Sequence, residues 1–79
     1  MGQARKPTPP LAEFGHRVRA RREALGWSQE RLGTEAGLHM TYVSSLERGL
    51  RNVSLMNILR LCEALSIDPA ELLAGMRAP

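Results

Sequence analysis

The stretch "SQERLGTEAGLHMTYVSSLERG", Ser28 to Gly49, restricts what this chain can fold into more than any other part of it. It opens on Ser28, a residue suited to cap a helix, and both Gly37 and Gly49 suit helix stops. Between those marks there is room for two short helices joined around a glycine, and for little else. Leu32 and Ala36 give the first an inward face, and Val43 and Leu46 do the same for the second.

The same punctuation runs through the rest. "LAEFGHRVRARREALG" puts Leu11, Phe14, Val18 and Leu25 at helical spacing with arginines between them, Pro10 suits the first turn and Gly26 the left-handed stop, so a helix is expected over 11–25. "MGQARKPTPP" has three prolines, a glycine, a basic pair and no periodicity, which reads as a flexible arm over residues 1–10. The third helix is expected from about His39 to Arg48. After the irregular "LRNVS", Ser54 caps a fourth helix whose apolar face holds Leu55, Ile58, Leu59, Leu61, Cys62 and Leu65. In "IDPAELL", Asp68 is an N-cap, Pro69 stands at N1, Glu71 at N3 completes a capping box, and Ile67 and Leu72 hold the staple positions. A fifth helix over 69–74 follows, stopping near Gly75. No stretch alternates with period two, so the expected fold is all-α: an arm, then one five-helix domain over 11–79.

A chain of 79 residues buries a small fraction of its surface and needs either a staple or good packing. Its single cysteine, Cys62, excludes an internal disulfide, and His16 and His39 lack a nearby thiol, so no zinc site is expected. Helix packing and self-association remain. Ile67, Leu72, Leu73 and Met76 exceed what so small a core absorbs, which points to a homodimer interface at the C-terminal helix and the end of the fourth, with simple closure of the core as the alternative. The unpaired cysteine and the lack of a signal peptide fit the cytoplasm, and no apolar run approaches the ~20 residues that span a bilayer. The net charge is +3, and ten of the eleven basic residues are arginine. Arg17, Arg19, Arg21 and Arg22 crowd one helix, which suits either phosphate binding or a solvated face. No Ser/His/Asp or Cys/His constellation, carboxylate dyad or phosphate-cradling glycine loop points to catalysis, and no cofactor or small-molecule ligand is expected.

The pieces "GWSQERLG", Gly37, "YVSSLERG" and "SLMNILRLCEAL", in this order, resemble the helix-turn-helix domain of Cro and lambda-type phage repressors over about residues 11–74. Within that family, "TYVSSLERGLRN" is similar to the controller proteins of restriction–modification systems. The resemblance implies a lambda-repressor-like fold with the helix-turn-helix at the second and third helices. It also implies a homodimeric transcription regulator bound to a palindromic double-stranded operator, and through DNA an association with the nucleoid. A recognition helix enters the major groove by its N-terminal turns, and Met40, Thr41, Ser44 and Ser45 share the face opposite Val43 and Leu46, so these are the expected base readers. His39 reaches a phosphate or a base, or merely starts the helix. The family pattern assigns backbone contacts to Gln29, Arg48, Arg51 and Asn52, and a structural salt bridge to Arg22 and Glu47; Tyr42, on the outer side of the third helix, suits a backbone or central-spacer contact, and Arg17 is a further phosphate candidate. It places Trp27 between the first two helices, while Cys62, on the apolar stripe of the fourth helix, reads as a core thiol. Arg21, His39 and Met40 depart from the residues common in relatives, the last two at positions that usually touch bases. The alternative readings are a phage-type repressor, or an antitoxin that also binds a toxin.

Overall fold

Each helix of this chain begins where a neighbouring group satisfies its first turn, or where prolines remove the need. The computed structural model describes residues 8–79, with α1 at Pro9–Ala24, α2 at Gln29–Ala36, α3 at Met40–Glu47, α4 at Leu55–Leu65 and α5 at Pro69–Leu72. Ser28 Oγ accepts from the Arg31 N–H at 2.9 Å, and Ser54 Oγ from the Asn57 N–H at 3.2 Å. Asp68 Oδ1 accepts from the Ala70 N–H at 2.7 Å, a one-sided cap in place of the reciprocal box expected with Glu71. Thr8 makes no side-chain cap for α1, but Pro9 and Pro10 preset its first turn and carry no N–H to satisfy. Those two prolines therefore belong to the helix and not to the arm. The rest of the expected arm, residues 1–7, lies outside the described residues.

The helix ends draw on more distant partners. Gly37 closes α2 at φ 72°, in the left-handed region that a glycine enters without penalty. Ser66 closes α4 at φ 54°, the one non-glycine residue at positive φ among the described residues. The carbonyls left over there are met from α1: Arg21 Nε donates to Leu65 O at 2.8 Å and its Nη2 to Ser66 O at 3.2 Å. One turn earlier, Arg17 Nη1 donates to Leu72 O at 2.9 Å, at the end of α5. Two cations on one helix thus complete the C-termini of two others, where the dipole favours positive charge. α5 is shorter than expected, with Leu73 as its C-cap.

α3 packs against both α1 and α2, α4 lies on α2, and α5 closes over α1 and α4. Val18, Leu32, Val43, Leu46, Leu61, Leu65 and Leu72 are essentially sealed from solvent. Each such burial contributes about 1.5–3 kcal/mol. Gly15 decides how closely α1 approaches α3, because a Cβ there would lie 2.4 Å from Leu46 O and 2.6 Å from Glu47 O.

The distribution of apolar side chains corrects two expectations. Leu72 is 1 % exposed and belongs to the core, so it has no surface to offer a partner; Ile67, Leu73 and Met76 are half-buried and pack against that core. On α4 the large apolar groups left outside are Leu55 (67 % exposed), Met56 (58 %) and Leu59 (39 %), while Leu61, Cys62 and Leu65 of the same helix are buried. Leu25, expected on the inward stripe of the first helix, is its exposed C-cap.

Candidate nucleic-acid interface

The turn Gly37–Leu38–His39 holds α2 and α3 as one unit. A Cβ on Gly33 would lie 2.4 Å from Leu38 O, so only glycine lets the turn fold back so tightly on α2. His39 caps α3 with its ring: Nδ1 accepts from the Thr41 N–H at 3.1 Å and lies 2.9 Å from Thr41 Oγ1. A ring nitrogen that accepts carries no proton, so the neutral ring keeps its N–H on Nε2, free to donate outward.

α3 buries Val43, Leu46 and Glu47 and turns its other side outward. Met40 is 45 % exposed, Thr41 is exposed, and Ser44 and Ser45 are half-exposed on that side. Arg48, Arg51 and Asn52 are exposed just beyond the helix end, with Arg48 Nε donating to Ser44 O at 3.4 Å. The Arg51 guanidinium lies over the Tyr42 ring, 5.5 Å from its centre. Gln29, at the start of α2, donates from Nε2 to Glu47 Oε1 at 3.0 Å. These groups form a polar and cationic rim around the small, uncharged face of α3. Arg17 does not join them. Its guanidinium is committed to Leu72 O and, at 2.9 Å, to Glu13 Oε2, which corrects its expected place in the backbone-contact set.

The anchor of the unit is the pair Arg22–Glu47. Arg22 Nε and Nη2 donate to the two carboxylate oxygens at 2.7 and 2.9 Å, and Nη1 donates to Trp27 O at 2.7 Å. Hydrogen bonding to Glu47 holds the Arg22 guanidinium above its ordinary range, outweighing the opposite effect of burial. α1, the start of α2 and the end of α3 meet at this one carboxylate, so α3 cannot pivot independently of the rest. Trp27 is half-buried against the core, with the Arg31 guanidinium 4.7 Å over its ring.

Sequence reasoning missed Asn57 and Arg60. Asn57 Nδ2 donates to the Tyr42 hydroxyl oxygen at 3.2 Å, and Arg60 Nη1 donates to Asn57 Oδ1 at 3.1 Å. No local pattern marks them, because their meeting with Tyr42 depends on where α4 starts relative to α3. Among the described residues, no three His, Cys, Asp or Glu side chains gather as metal ligands, and no helix is long and apolar enough to cross a membrane.

A helix-capped turn whose second helix presents an uncharged outward face inside a cationic rim is the geometry of a helix-turn-helix protein. The helix-turn-helix family model matches residues 18–72, and the chain belongs to that family. Within it, the similarity is to restriction–modification controller proteins. The chain is 49 % identical over 61 residues to control protein C.BamHI of Bacillus amyloliquefaciens, covering 76 % of this chain and 75 % of that protein. The crystal structure of the restriction–modification controller protein C.AhdI from Aeromonas hydrophila superposes with a TM-score of 0.77 at 55 % identity, covering 78 % of this chain and 94 % of that one. The P22 c2 repressor, solved in complex with a synthetic operator, superposes with a TM-score of 0.73 at 36 % identity, covering 80 % and 96 %.

Proposed function

We propose that this chain regulates transcription in a restriction–modification system by binding operator DNA as a homodimer, with one α3 in each of two successive major grooves. It is a DNA-binding transcriptional regulator, as its family and its controller-protein relatives imply. The observation that carries the groove assignment is the outward face of α3, which among the described residues stays open to solvent at Met40 and Thr41 and half-open at Ser44 and Ser45, while its opposite face is locked by Val43, Leu46 and Glu47. Small hydroxyls at Thr41, Ser44 and Ser45 permit close approach to base edges, and Met40 and the Thr41 methyl suit a thymine methyl. His39, Gln29, Arg48, Arg51 and Asn52 set the register on the sugar–phosphate backbone, and Tyr42, on the flank of α3, meets the backbone or the bases of the spacer between half-sites.

A second copy is received on Leu55, Met56 and Leu59, with Ile67 at the margin, where it lines a surface cleft with Leu59. A two-fold dimer places its half-sites about one helical turn, ~34 Å, apart. Footprinting and gel shifts on duplexes spanning the promoters of a restriction–modification operon test the reading. A protected palindrome is expected, with Thr41→Ala and Ser44→Ala each weakening it by about 1–3 kcal/mol and leaving non-specific binding unchanged. Equal saturation of every duplex by the unmodified protein would reject it.

A further inference from the structure

Where the flank of α3 passes the first turn of α4, three side chains form a polarised chain. Arg60 Nη1 donates to Asn57 Oδ1 at 3.1 Å, and Asn57 Nδ2 donates to the Tyr42 hydroxyl oxygen at 3.2 Å. A guanidinium has donors only, so Oδ1 must face Arg60 and the amide must offer its NH2 group to Tyr42. The phenolic oxygen is thereby the acceptor of this bond, and its own proton is left for another partner. The geometry is braced on both sides. The Asn57 backbone N–H is tied to Ser54 Oγ, and Arg51 lies over the half-buried Tyr42 ring.

We infer that Asn57, oriented by Arg60, is a positioning residue that makes Tyr42 a hydrogen-bond donor toward DNA. The inference rests on the proposed seating of α3 and adds a direction to one contact. A phenol free to rotate serves donors and acceptors alike. One whose lone pair already receives an amide proton favours phosphate oxygens and the acceptor edges of bases (guanine O6 and N7, thymine O4) over exocyclic amino groups. Asn57 and Arg60 thus contribute to target choice without touching the duplex.

Asn57→Asp tests this, because it keeps the shape and reverses the bond: the carboxylate accepts, and the Tyr42 proton turns inward. A carboxylate in the first turn of α4 is favoured by the helix dipole, so the fold is retained, which a thermal melt checks. The added negative charge also repels DNA, and the same substitution in a Tyr42→Phe background isolates that effect. Binding is measured on the footprinted operator and on an unrelated duplex. Tyr42→Phe is expected to weaken operator binding roughly tenfold, the value of one directed hydrogen bond to a charged or buried acceptor. Asn57→Asp should weaken it by a comparable factor beyond its effect on the unrelated duplex, and that excess should vanish in the Tyr42→Phe background. Arg60→Ala, a surface change that frees the amide, should show a smaller loss with the same dependence on Tyr42. An Asn57→Asp effect of equal size in both backgrounds would overturn the inference while leaving groove binding by α3 intact. A silent Tyr42→Phe would overturn it by removing Tyr42 from the interface. Absence of any preferred duplex for the unmodified protein would instead bring down the DNA reading beneath it.

Discussion

Glu47→Gln withdraws one negative charge from a site that is closed on nearly every side. The Glu47 side chain is 2 % exposed and that of Arg22 10 %. The carboxylate accepts from Arg22 Nε, Arg22 Nη2 and Gln29 Nε2. An amide keeps one acceptor and turns an NH2 group toward donors, while the guanidinium stays charged without its counterion. Removing one partner of such a buried pair costs about 3–5 kcal/mol, and the retained carbonyl places glutamine near ~3 kcal/mol. A domain of this length is stable by roughly 4–12 kcal/mol, so the variant loses a quarter or more of its margin. At about 4–8 °C per kcal/mol, the thermal midpoint should fall by about 12–24 °C. Urea unfolding at fixed chain concentration, followed by Trp27 fluorescence and far-ultraviolet circular dichroism, measures the loss; the midpoint should move with the slope unchanged. The companion is Arg22→Met with Glu47→Leu, which removes both charges and should recover most of the stability, since no ion is then stranded. A loss below about 1 kcal/mol for Glu47→Gln, or a double variant as unstable as the two single changes summed, would refute the claim that this pair anchors the unit.

Other parts of the fold are open to equally direct tests. Gly15→Ala should destabilise by about 1–3 kcal/mol although helix propensity alone favours alanine by ~1 kcal/mol, because the new methyl meets the Leu46 and Glu47 carbonyls; a raised thermal midpoint would contradict the close approach of α1 to α3. Burial, and secondarily the charge of Asp68, raise the Cys62 thiol above its ordinary value. The unfolded thiol, near ~8.5, ionises first, so above that pH the unfolded chain holds fewer protons and stability falls as pH rises. The fall should shrink in Cys62→Ala, and identical pH profiles for the two proteins would show that the thiol is not shielded. Met56→Lys should convert the proposed dimer to a folded monomer in sedimentation, since Met56 is 58 % exposed and contributes little to the core; an unchanged sedimentation coefficient would reject the proposed interface on α4.

The helix boundaries were legible in the sequence wherever a cap is made between near neighbours. Ser28, Ser54 and Asp68 each bond an N–H two or three residues on, and Gly37 takes the left-handed turn its type permits. At the head of α1 the sequence marks Pro10 as a first-turn residue but not Pro9, because prolines there share their composition with an arm. The uncharged face of α3 was also legible, since helical spacing alone puts Met40, Thr41, Ser44 and Ser45 opposite Val43 and Leu46.

The sequence by itself determined the five helices, the turn between α2 and α3 and the family, because those follow from interactions that span a few residues. Only the tertiary structure decided which apolar side chains are left over. Leu72 goes inside and Leu55, Met56 and Leu59 stay outside because of where α2 and α5 pack along α4. It also decided what the arginines do. Arg17 and Arg21 look like phosphate ligands or solvated charge until α1 is laid against the ends of α4 and α5, where unpaired carbonyls claim them. Tyr42, Asn57 and Arg60 meet for the same reason. Burial and long-range hydrogen bonding depend on how helices cross, and that crossing is set by the summed packing of all five rather than by any one segment.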